Sequence, residues 1–184
     1  MPGSTSATRI PKAATSCAST SVATPRAPIV ILSVPFEHVA STLKSIREAL
    51  SPGQIVVSMG VPLATAVGDG AVRTVGIWQG SCAEMVAARL PKGVEVVSAF
   101  QNVSAHRLQQ LPDPVECDVL VSGPKQARQT VMELCDLVPG LRAVDGGSLD
   151  NARIVEEISA LLIGLNIRYK VPEGLGLRIT GLPE

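Results

Sequence analysis

Aromatic residues are nearly missing from this chain: Phe36, Trp78, Phe100 and Tyr169 are the whole complement, 2% of 184 residues. Base-stacking platforms and aromatic sugar grooves have almost no material, so single-stranded nucleic acid is not an expected ligand. Histidine is as scarce, with His38 and His106 standing 68 positions apart at no metal-like spacing. The cysteines Cys17, Cys82, Cys117 and Cys135 lie 65, 35 and 18 positions apart and form no C-x-x-C pair. A metal site is therefore not expected, and the thiols read as free in a reducing, cytoplasmic compartment. Long apolar runs are also lacking. The longest, residues 158–167, is broken by Ser159, Gly164 and Asn166 and falls short of the roughly 20 residues that span a bilayer. No membrane partner is expected. Nor is there an excess of basic charge, because 16 Lys and Arg face 16 Asp and Glu. Arg9, Lys12 and Arg26 all precede residue 29, which leaves 13 bases against 16 acids in the remainder. Without a basic stripe to neutralise phosphates, duplex nucleic acid is not an expected partner either.

What is present is a core-forming composition, 46% hydrophobic and 17% charged, at a length that suits one compact domain. Residues 1–28 stand apart: Ser, Thr, Ala and Pro occupy 20 of them without hydrophobic periodicity. Such a segment buries too little surface to offset its ordering entropy and reads as a disordered tail. Residues 29–184 read as the folded domain. Within them, Val- and Ile-rich runs at residues 29–34, 55–59, 94–100, 119–122 and 141–144 are continuous rather than alternating, as in strands covered on both faces. Helical steps of four, three and four separate them, at Val39, Leu43, Ile46 and Leu50 and again at Ala127, Val131, Leu134 and Val138. This alternation of strand and helix implies an α/β fold with a doubly wound parallel sheet.

A longer helix is expected after Ser148, read as its N-cap, with apolar positions Ile154, Ile158, Leu161 and Leu165 joined by Val155 and Leu162. Being apolar nearly all round, its second half suits the core or a subunit interface equally well. Residues 60–80 carry five glycines and no clear periodicity, and a loop of that length is a candidate cover for a ligand.

In an open parallel sheet, ligands bind beyond the carboxyl ends of the strands. The segments to inspect are therefore residues 35–38, 60–62, 101–107 and 123–125. None pairs a nucleophile with a base, and no G-x-S-x-G elbow occurs. Gly68 and Gly70 are followed by Arg73 where a dinucleotide fingerprint needs its third glycine, and Gly174 and Gly176 are followed by Ile179. Ser81 and Glu84 read as a capping box. His38, in the first turn of a helix, could reach a ribose hydroxyl or a phosphate, although a surface histidine is the commoner role. Arg107 could pair with a ligand carboxylate or phosphate, or form a surface salt bridge. Cys82 and Cys117 suit small core positions.

Five ordered segments carry a resemblance. They are residues 32–38 (LSVPFEH), residues 55–58 followed by Val61 and Pro62, residues 97–99 (VSA), residues 145–153 (DGGSLDNAR) and residues 174–179 (GLGLRI). Across about 155 residues, the chain resembles the NADPH-dependent reductases of coenzyme F420, an 8-hydroxy-5-deazaflavin. Pyrroline-5-carboxylate reductases share the nucleotide-binding architecture. The resemblance implies an incomplete doubly wound, Rossmann-like sheet with a C-terminal helical segment.

It also implies an oxidoreductase that uses NADP and coenzyme F420 and transfers hydride between nicotinamide C4 and deazaflavin C5. The cofactors carry that chemistry, so no catalytic side chain is expected. By position, Val34 and His38 would contact NADP near its nicotinamide half, Val61 would line the ring pocket, and Ala105 would touch the nicotinamide through its backbone. Leu175 would hydrogen-bond the deazaflavin by its main chain. Members of the family begin with a strand, a glycine-rich turn and a helix that hold the pyrophosphate, and the Ser/Thr/Ala tail stands in that place here. The first β-α-β phosphate-binding unit is thus expected to be lacking and dinucleotide affinity reduced. Gln101 replaces a family histidine and Ser104 a proline. The expected assembly is a homodimer through the C-terminal helix. The alternative is a non-catalytic α/β subunit that pairs with a complete partner through the same helix.

Overall fold

A computed structural model describes residues 27–182. Apart from its last two positions, the stretch 1–28 read as a tail lies outside the described residues. Strands β1 (Ile29–Leu32), β2 (Ile55–Ser58) and β3 (Glu95–Ser98) form one parallel sheet in sequence order. Ile29 stands beside Ile55, and Ile55 beside Glu95. Strands β4 (Cys117–Val121) and β5 (Leu141–Asp145) form a parallel pair, with Cys117 beside Leu141. The pair meets the first sheet antiparallel, where Ser98 and Ser122 exchange backbone hydrogen bonds of 2.8 and 3.0 Å. A glycine is required just after this junction: at Gly123, with φ of 155°, a Cβ would lie 2.8 Å from the Val96 carbonyl oxygen.

Among the described residues, five α-helices complete the α/β fold: α1 (Phe36–Ile46), α2 (Cys82–Ala87), α3 (Ala105–Leu108), α4 (Lys125–Cys135) and α5 (Ala152–Tyr169). Successive strand residues feed opposite cores. Val56 and Val96 pack with Val39 and Leu43 of α1 and with α2, whereas Val57 and Val97 pack with β4 and with Ala127 and Val131 of α4. Side chains that alternate between two covered faces must both be apolar, which accounts for the continuous Val and Ile runs.

Ser81 is the N-cap expected of it, its hydroxyl oxygen accepting the Glu84 N–H at 3.0 Å, but the Glu84 carboxylate accepts from that hydroxyl at 2.7 Å rather than from the Ser81 backbone, so half of the capping box forms. Ser148 departs from its expected part. It precedes a 3-10 turn, Leu149–Asn151, and its hydroxyl pairs with Asp150 rather than capping a backbone amide. Residues 60–80 are less formless than expected, since a 3-10 turn at Ala64–Val67 and a bridge between Leu63 and Thr74 fold the segment on itself.

Helix α5 divides the two readings of its apolar surface. Ala152, Val155, Ser159 and Leu162 are buried, whereas Ile154 and Leu161 stay 47% and 59% exposed. The apolar positions picked out by sequence spacing are thus split: Ile154 and Leu161 face outward, Ile158 and Leu165 are half-buried, and Val155 and Leu162 are buried.

Candidate functional site

The carboxyl ends of β1, β2 and β3 lie side by side, and the loops that leave them wall three adjoining cavities. One, of about 240 Å³, lies between the β2 and β3 loops, α5 and the C-terminal segment, with Val61, Asn102 and Leu175 among its lining. A second, of about 250 Å³, is shared by the β1 and β2 loops and includes Val34 and Val61. The third, of about 300 Å³, runs from Val34 to Gln101. Val34, Val61 and Leu175 are thereby brought into the walls of one group of adjoining cavities, with no single cavity lined by both Val34 and Leu175. His38 and Ala105 are not: both are exposed and line none of the three cavities. The His38 N–H closes the start of α1 by donating to Pro35 O at 2.9 Å. Ala105 opens α3, immediately after Ser104, which does line the first cavity.

Two straps hold the C-terminal segment over this hollow. Ser104 Oγ donates to Glu173 O at 2.6 Å, while Arg107 pairs with the Glu173 carboxylate at 3.1 Å and donates from Nε to Gly174 O at 3.3 Å. Arg107 therefore serves a structural salt bridge, the commoner of the roles weighed for it. Gly174, with φ of 83°, is irreplaceable by shape, because a Cβ there would stand 2.6 Å from Ser104 Oγ. The Leu175 N–H donates to Asn166 Oδ1 of α5 at 2.8 Å.

Farther along, Asp118 anchors the segment. Its buried carboxylate accepts from Arg142 at 2.6 and 2.9 Å, from Arg178 at 2.8 Å and from the Ile179 N–H at 2.6 Å. Burial alone would raise its pKa, but the hydrogen bonds from Arg142, Ile179 and Arg178 outweigh it and hold the group at about 2.

Glu156 is the other buried carboxyl. From α5 it accepts the N–H groups of Cys82 at 2.9 Å and Ala83 at 3.1 Å, the first two residues of α2. Burial drives its pKa up to about 7 against the opposing pull of those two amides. The neighbouring Cys82 thiol is pushed up to about 12, by burial first and then by the Glu156 charge. Cys82, Cys117 and Cys135 are buried free thiols, inert by their environment.

Sequence reasoning placed Asn102 in a strand-end segment without giving it a role and missed Asn166, Asp118 and Glu156, because each acts through a partner at least nine positions away. The cavities at Val61 have walls more apolar than polar, the one between Val34 and Gln101 is more polar, and two buried amide oxygens, Gln101 Oε1 and Asn102 Oδ1, have no partner among the described residues. No group of three or more His, Cys, Asp or Glu among the described residues could hold a metal ion. No helix among them is long and apolar enough to cross a membrane.

Comparison with known proteins agrees with this architecture. Residues 3–62 match the family described as NADP oxidoreductase coenzyme F420-dependent. The F420-dependent NADP reductase of Methanocaldococcus jannaschii is 51% identical over 155 residues, covering 84% of this chain and 68% of that protein. Its counterpart from Methanothermobacter thermautotrophicus is 42% identical over 160 residues, covering 86% and 68%. A solved Arthrobacter sp. FB24 structure, described as an F420 dependent NADP-reductase, superposes with a TM-score of 0.72 at 21% identity, covering 85% of this chain and 71% of that one. At that identity it speaks to the fold alone.

Proposed function

This chain belongs to the coenzyme F420-dependent NADP oxidoreductases, and from that premise we propose that its hollow brings a nicotinamide and a deazaflavin ring together for hydride transfer. The observation that supports the reading is that Val34, Val61 and Leu175 line adjoining cavities at the strand ends, Val61 being shared by two of them. The two cofactors would supply the chemistry, a hydride passing from the nicotinamide carbon to the deazaflavin carbon while the one further proton of the reduced deazaflavin is taken up from solvent. The protein's part is to orient the rings and exclude water.

In this reading the Val34 and Val61 side chains flank the rings on the NADP side, and the straps at Ser104 and Arg107 fix the backbone of Leu175 on the deazaflavin side. Val34 is assigned to the nicotinamide half, with His38 and Ala105 as peripheral contacts outside the hollow. The Leu175 N–H is already paired with Asn166, so a deazaflavin that accepted from it would displace the Asn166 side chain. Mixing the chain with NADPH and oxidised F420 and following the deazaflavin's visible absorbance tests the reading, with bleaching as the expected result. The buried free thiols fit a reducing, cytoplasmic setting.

Homodimerisation belongs to the same proposal. Ile154 and Leu161 stand seven residues apart on the outward face of α5, and a stripe of this kind can bury itself against its own copy about a two-fold axis. Sedimentation at tens of micromolar tests it, with a dimer expected.

A further inference from the structure

The two amides that follow β3, Gln101 and Asn102, are each oriented by their surroundings. Gln101 Nε2 donates to Ser58 O at 3.1 Å and to Ser98 Oγ at 2.5 Å. Asn102 Nδ2 donates to Asp118 O at 2.7 Å. Ser58 O and Asp118 O are carbonyls that can only accept, so each must face an amide nitrogen, and the orientation of both side chains follows from chemistry. The oxygens Gln101 Oε1 and Asn102 Oδ1 are then the atoms left over. Both are buried and lack a hydrogen-bond partner among the described residues, although Asn102 is only 4% exposed. Buried polar atoms without partners are rare, and each calls for an explanation.

Their place supplies one. Both residues line the cavity that holds Val61 and Leu175, and Gln101 also lines the one that reaches Val34. The residue before them, Phe100, has a φ of 68°, a left-handed conformation that a bulky side chain adopts when its surroundings impose it, often at functional sites. It directs the chain into the turn that presents the two amides. The third orphaned atom, Ser122 Oγ, belongs to the junction of the two sheets and to none of these cavities.

We propose that Gln101 and Asn102 form a paired hydrogen-bond acceptor that selects a ring ligand by its N–H donor. This rests on the proposed function, and it adds the specificity that the apolar walls cannot provide. Two ligand groups share the required chemistry: the carboxamide NH₂ of the nicotinamide and the imide N–H of the deazaflavin's pyrimidine ring. A ligand edge that carries only carbonyl oxygens would be rejected, because acceptor would face acceptor.

Calorimetric titration of the full chain with four probes tests the pair. They are NADP⁺, its 3-acetylpyridine analogue in which a methyl replaces the carboxamide NH₂, oxidised F420, and F420 methylated at the imide nitrogen. The expected result is that one analogue binds about 10-fold more weakly than its parent, and which one identifies the donor. In the double variant Gln101→Met, Asn102→Leu, that difference should shrink to within about 2-fold. Should the variant fail to fold, the comparison on the unaltered chain still decides. Parents and analogues binding alike would overturn the acceptor pair and leave the family reading standing, whereas no binding of either parent would overturn both.

Discussion

The Glu156 carboxylate accepts the N–H of Cys82 at 2.9 Å across 74 residues of sequence, so that a side chain of α5 closes the N-terminus of α2. A helix N-terminus favours a negative charge, but here burial is the stronger effect and pushes the pKa to about 7.

The sign of the pH dependence follows. With an ordinary value of 4.5 in the unfolded chain, the folded state holds between about pH 4.5 and 7 a proton that the unfolded state has released. The contribution of Glu156 to stability is fully present below that window and is lost as pH rises through it, by about 3 kcal/mol in all. Denaturant midpoints measured from pH 4.5 to 8 should fall more steeply in the wild type than in Glu156→Gln, which cannot titrate.

Asp118 behaves oppositely. Its carboxyl is held at about 2, below its ordinary 3.8, so its contribution is present above about pH 4 and is lost as the pH falls toward 2. Asp118→Asn takes from Arg142 its charged partner and leaves Arg178 with Glu116 alone, at 3.1 Å. Both guanidiniums are partly exposed, and water softens the loss to about 2 kcal/mol. Chemical denaturation at neutral pH measures it, and the acid limb of the stability curve should flatten in the same variant.

Gly174→Ala tests the strap over the hollow. The added methyl would meet Ser104 Oγ at a position whose φ is already 83°, a strain of about 1–3 kcal/mol. The segment should relieve it by lifting. Deazaflavin affinity should fall by at least about 10-fold with global stability lowered modestly, as read by titration and by thermal melting.

Much of the scaffold was legible because its signals are local. The apolar runs marked the five strands among the described residues, most plainly β2 and β3, whose residues face two covered cores, and the four-three-four steps at Val39 and Ala127 marked α1 and α4. Val34, Val61 and Leu175 came from family resemblance rather than from any local signal, and their lining of adjoining cavities supports the roles proposed for them. The amide pair, Asp118 and Glu156 were not legible: an acid within a helical pattern or a polar residue after a strand looks like surface, and the partners that bury it come from distant segments. Helix α5 shows the same limit, because spacing found the stripe of Ile154 and Leu161 without saying whether it faced in or out.

Leu161→Glu places a charge at the centre of that outward stripe. It should convert a dimer to a monomer in sedimentation while leaving the thermal midpoint within a few degrees, because Leu161 is 59% exposed and contributes little to the core.

The most direct test of the account is the reaction itself. Purified chain at high concentration, mixed with NADPH and oxidised F420, is predicted to bleach the deazaflavin's visible band with matching loss of NADPH absorbance, at a rate that scales with protein. An unchanged spectrum, with both cofactors shown by titration to be bound, would contradict the claim that this hollow brings the two rings into contact.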